Sequence, residues 1–176
     1  MAIVRLQVGD LAGFDAALER VARLGEENQD RFLLAHAATW RGLRALLDGR
    51  LNEVEDHAAE MLRCAGDDPN VVLSYGGLLV DLRRAQGRLE EIKPALLAAV
   101  EQTPDLDVLR AALALVHIEL NEPSEARAVL EDIAAGGVTG GPRQPAWSAT
   151  LASLAEASAR LGETQHTQNL STALAP

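Results

Sequence analysis

The 176-residue chain is long enough to bury a core, and its composition restricts what that core can be. Apolar residues make up 48% but aromatics only 3%, so Leu, Ala and Val must fill the interior, which suits closely packed helices and leaves no material for a sheet. A net charge of −10, with Lys93 as the only lysine, argues against direct nucleic-acid or anionic-membrane binding, and the lone Cys64 rules out an internal disulfide or a cysteine-built metal site.

A short turn signature recurs between apolar-periodic segments. It reads Val8-Gly9-Asp10-Leu11, Asp48-Gly49-Arg50-Leu51, Gln86-Gly87-Arg88-Leu89, Leu120-Asn121-Glu122-Pro123 and Leu161-Gly162-Glu163-Thr164. Its Gly or Asn positions lie 40, 38, 34 and 41 residues apart. A residue that tolerates positive φ, flanked by helical patterns, marks one helix ending and another beginning at once. Repetition at a near-constant period predicts an all-α superhelix, a solenoid of about five antiparallel hairpins filling 1–176 as a single repeat domain.

The chain opens over 2–8 in the tail of a hairpin's first helix, whose second helix comes next. A helix over 11–24 follows, with Phe14, Leu18 and Val21 as its inward set. Because the array begins with half a hairpin, this stripe is expected to lie partly uncovered, a candidate surface for self-association. The second hairpin covers 30–48 and 51–64, and Leu51, Val54, Ala58, Met61, Leu62 and Ala65 form one stripe on its second helix. The third covers 69–86 and 89–103. Pro94 lies past the first turn there, which predicts a distorted start or a helix beginning near Ile92. The fourth covers 105–120 and 123–134; its first helix is apolar on nearly every side, as a sandwiched helix must be. A Gly/Pro-rich loop over 136–145 leads to a fifth hairpin over 146–161 and 163–174, whose polar last helix suits a terminal cap. The N-terminal end therefore looks cut, and the segment is expected to be a fragment of a larger protein.

With the turn Gly taken as position 15 of a 34-residue unit, small residues fall at position 8 in Gly42, Ala114 and Ala155, and at position 20 in Ala126. Pro104 matches the proline near the unit's end. These residues resemble tetratricopeptide repeats. Leu82 to Leu89, Gly137 to Trp147 and Leu154 to Gly162 are similar to the C-terminal arrays of large bacterial signalling ATPases, LuxR-type transcriptional regulators and cyclase-linked regulators. The resemblance implies a regulatory, partner-sensing module whose nucleotide- and DNA-binding parts lie outside this chain. The lysine and asparagine set with which some members of the family clamp a terminal carboxylate is missing here.

Chemistry-bearing motifs are scarce. The run Gly136 to Gly141 lacks the Lys-Ser/Thr and the preceding strand of a phosphate loop. His36, His57, His117 and His166 fall on different helices; His57 and Glu60 share a face, but further ligands for a metal are wanting. His117, among Val116, Ile118 and Leu120, reads as a core histidine with a satisfied hydrogen bond. No serine, histidine and acid form a nucleophile motif. The expectation is a protein that is not an enzyme and has neither cofactor nor metal. The first helices of the hairpins should offer a concave groove to a protein, a peptide or a neighbouring domain. Its candidate members are His36, Thr39, Trp40, Asp81, Arg84 and Arg110. The alternative is a free-standing scaffold that dimerises through Phe14, Leu18 and Val21. No secretory leader or apolar run of about 20 residues is present, so a cytoplasmic location is expected.

Overall fold

The five turn residues singled out by the sequence all adopt the left-handed conformation: φ is 78° at Gly9, 73° at Gly49, 67° at Gly87, 60° at Asn121 and 73° at Gly162. The computed structural model describes residues 2–66, 68–136 and 147–162. Among them every regular element is an α-helix: α1 (Ala2–Gln7), α2 (Leu11–Asn28), α3 (Arg31–Leu47), α4 (Leu51–Ala65), α5 (Pro69–Gln86), α6 (Leu89–Gln102), α7 (Asp107–Glu119), α8 (Pro123–Gly136) and α9 (Trp147–Leu161). The Gly/Pro-rich loop from 137, the polar last helix expected over 163–174 and His166 lie outside the described residues.

Local chemistry sets these boundaries. At the ends of α1, α2, α3 and α7 a pair of backbone bonds closes the last turn: Asp10 N–H to Arg5 O at 2.8 Å with Gly9 N–H to Leu6 O at 3.0 Å, and likewise at residues 29–30, 49–50 and 121–122. That pattern satisfies carbonyls a helix end would otherwise leave bare. Helix starts are capped by Asp10, Asp30 and Asp68, whose carboxylates accept from backbone amides one turn in.

Helix α2 runs to Asn28, beyond the expected stop at Leu24. Gly25 stays helical and buried, since a Cβ there would lie 3.2 Å from Leu34 N and 3.0 Å from Leu34 Cδ2. The left-handed residue that ends the helix is Gln29, at φ 52°. Helix α6 begins at Leu89, not Ile92, and carries Pro94 inside it. Its first turn is tightened, Glu91 N–H bonding Arg88 O three residues back, which lets the helix absorb a proline so near its start.

The chain forms two compact units, Met1–Gly87 and Arg88–Pro176. In the first, each of α1 to α5 packs on its neighbour in sequence, and α3 also touches α5. Its main core joins Ala35, Ala38 and Ala45 with Val54, Ala58, Met61, Leu78 and Leu82. Leu62, expected in the α4 stripe, is instead exposed, and Cys64 is half-buried against this core.

A second cluster corrects the expectation of an open N-terminal stripe. Phe14 is fully buried and Leu18 only 5% exposed, with Val21 packed beside them. Leu6 of α1 and Ala37 and Trp40 of α3 cover them. Short as it is, α1 packs on α2, so the stripe has its partner within this chain; burial of Phe14 alone favours the fold by about 1.5–3 kcal/mol.

In the second unit α7 packs against α6, α8 and α9, the sandwiched position its apolar sequence requires. Ala111 and Ala114 of α7 meet Leu130 and Ile133 of α8 and Leu154 and Ala157 of α9. The small residues let the backbones approach.

Candidate functional site

Asp30 fixes the start of α3 by accepting from Phe32 N–H at 2.9 Å and Leu33 N–H at 3.2 Å, and Arg31 ties that start to α4 through Arg63 O at 2.9 Å. Four-residue steps then place Phe32, His36 and Trp40 on one face of the helix. The three rings form a row. Phe32 and His36 lie 4.2 Å apart between centroids at 38°, and Trp40 meets His36 edge-on at 6.2 Å and 81°. Trp40 also reaches the buried Phe14 ring, 6.3 Å away. One end of the row is therefore rooted in the core, while Phe32 at the other is 56% exposed. The His36 ring donates from Nδ1 to Phe32 O at 3.1 Å, which fixes its orientation within the row.

The other expected groove members divide between the two units. Thr39 is half-buried and its hydroxyl donates to Ala35 O at 2.9 Å, so it serves its own helix. On α5, which packs on α3, Asp81 lies one turn from Arg84; desolvation of its carboxyl holds the pKa above the ordinary value, and the Arg84 charge offsets this only in part. Arg110 is in the second unit. Its guanidinium pairs with the buried Asp107 and, at 2.6 Å, with Asp132, so it braces α7 against α8. Burial alone would lower its pKa, but the two carboxylates hold it above its ordinary value.

His117 is a core histidine, 6% exposed, and its Nδ1 lies 2.6 Å from Glu122 Oε2. The same carboxylate accepts from Lys93, so a charged network closes the corner between α7 and α8. Among the described residues no group of three or more His, Cys, Asp or Glu side chains is placed to hold a metal, and no helix is long and apolar enough to cross a membrane.

Phe32 was passed over in the sequence, although its four-residue spacing from His36 was there to be read. That Arg41 and His57 meet in one cleft gave no signal in the sequence, the two being 16 residues apart on different helices. No family model, curated protein or solved structure matches the chain.

Proposed function

We propose that this chain is a non-catalytic protein-interaction or sensing module of tetratricopeptide-like type, belonging to a cytoplasmic bacterial regulatory protein. In this reading the hairpins coil into a superhelix, and the first helices present a face to a peptide, a partner or a neighbouring domain. One observation carries it: the aromatic row Phe32–His36–Trp40, anchored at Phe14 and exposed at Phe32. A rigid aromatic row needs little further ordering when a partner covers it, and aromatic anchors dominate binding energy at interfaces. The self-association alternative draws less support, since Phe14 and Leu18 of its stripe are covered within the chain.

The test is photo-crosslinking in source-cell lysate from a reactive phenylalanine analogue at position 32, compared with the same analogue at the exposed Asn52 of α4. The reading expects an adduct specific to position 32 whose partner is no longer captured by Phe32→Asp protein. Identical adducts from both positions would refute it.

A further inference from the structure

A second feature of the first unit lies apart from the aromatic row. Helices α2, α3 and α4, with the turn between the last two, border an open cleft of about 300 Å³, at the small end of the range for ligand pockets. Three arginines and three carboxylates line it together with His57 and Leu18. Part of this set is satisfied internally. Arg44 bonds Asp15 at 3.1 Å and pairs with Asp48; Arg50 bonds Asp48 at 3.0 Å and pairs with Glu53.

The remainder is not. Among the described residues Arg41 has one ion-pair partner, Glu19, at 3.8 Å, which is a charge contact without a hydrogen bond. Its side chain is 29% exposed, and its guanidinium makes no hydrogen bond among the described residues. His57 sits beside it, its Cβ packed toward Gly42, and its ring likewise makes no hydrogen bond there. Burial, helped by the Arg41 and Arg50 charges and opposed by Glu60 and Glu53, holds the His57 pKa below its ordinary value, which favours the neutral ring. Glu19 is 71% exposed, and among the described residues its ion-pair partner is Arg41 alone.

The cleft thus offers a guanidinium and an imidazole N–H as spare donors and a carboxylate as a spare acceptor, within a lining of no net charge. A dianion such as phosphate would face three carboxylates, and a simple cation three guanidiniums. A ligand that is neutral overall but carries separated charges matches both halves. We propose that this cleft binds a small zwitterion of the amino-acid class, its carboxylate on Arg41 and His57 and its ammonium on Glu19. The Arg41–Glu19 pair, too long to be bonded, is where such a ligand inserts. The inference stands on this cleft alone and does not depend on the protein-interaction reading.

The test uses the full chain. The common L-amino acids are screened at about 10 mM by thermal shift, where a ligand of millimolar affinity already stabilises measurably. Acetate and methylammonium, each carrying one of the two charges, serve as controls. Binders are then titrated calorimetrically and followed through the His57 ring proton by NMR. The expected result is at least one amino acid that binds while both controls fail, shifts His57 and not His36, and binds roughly tenfold or more weakly to Arg41→Lys and Glu19→Gln proteins. Because Glu19 is largely exposed, its variant keeps the test decisive even if Arg41→Lys does not fold. The proposal is overturned if no amino acid binds, if acetate or methylammonium binds as well, or if Glu19→Gln binds like the parent.

Discussion

The ammonium of Lys93, on α6, lies 2.6 Å and 2.5 Å from the two carboxylate oxygens of Glu122 in the turn after α7. The only lysine of the chain thus joins a helix to a turn 29 residues further on, and His117 supports the same carboxylate from α7. Hydrogen bonds from Lys93 first, and from His117 next, hold the Glu122 pKa below the ordinary 4.5. A folded-state pKa that is depressed contributes stability present in full above the unfolded value and lost as pH falls through the folded one. The prediction is therefore confined to acid. Between about pH 5 and pH 3 the melting temperature of the parent should fall more steeply than that of Glu122→Gln, and above pH 6 the two slopes should run parallel. Melts across that range check it; equal acid slopes would show that the pair contributes nothing.

Gly42 carries a second prediction. A Cβ at that position would lie 2.6 Å from Leu78 Cδ2, within the contact between α3 and α5. Leu78 is 6% exposed and hemmed in by the core, so it has little room to yield. Overpacking of this kind costs about 1–3 kcal/mol, against about 1 kcal/mol gained from alanine's helix propensity. Gly42→Ala should destabilise by about 1 kcal/mol in urea unfolding. In a Leu78→Ala background the obstacle is gone, and the same substitution should become stabilising by about 1 kcal/mol. A Gly42→Ala effect with the same sign in both backgrounds would refute the steric account.

Ser158 is fully buried in α9, and its hydroxyl has no hydrogen-bond partner among the described residues. A buried donor left unmade costs about 1–3 kcal/mol, and alanine removes the hydroxyl while keeping the shape. Ser158→Ala should raise stability by about 1 kcal/mol, read as a higher urea midpoint with an unchanged slope. A loss of stability would reveal a partner for the hydroxyl.

What was legible in the sequence depended on whether a single residue type carried the signal. Gly9, Gly49, Gly87, Asn121 and Gly162 announce left-handed turns because they are the residues that tolerate them, and all five adopt one. Gly25, just past the expected end of the helix over 11–24, is glycine for the sake of its contact with Leu34, not for a turn. The Phe14 stripe on α2 and a short helix before it were both legible, but that Leu6, Ala37 and Trp40 close over the stripe depends on packing between helices, which periodicity does not carry. The aromatic row was half visible through His36 and Trp40. The cleft was not visible at all, because α2, α3 and α4 each contribute to it and only their packing brings Arg41, His57 and Glu19 together.

Gln29 is the clearest case of a turn the sequence hides, and it yields the fourth prediction. It ends α2 at φ 52° and ψ 35°, a conformation that costs a residue with a Cβ about 1 kcal/mol more than glycine. Part of that cost is offset by its own side chain, since Nε2 donates to Glu26 O at 2.8 Å. That bond is exposed to water and therefore weak, whereas the backbone bonds from residues 29 and 30 that close the helix do not involve the side chain. Gln29→Gly keeps those bonds and relieves the strain, but it adds freedom to the unfolded chain. The strain relief should prevail by about 0.5 kcal/mol, raising the melting temperature by a degree or more. A fall in melting temperature would mean that the Nε2 bond to Glu26, not the backbone pair, holds the end of α2 in place.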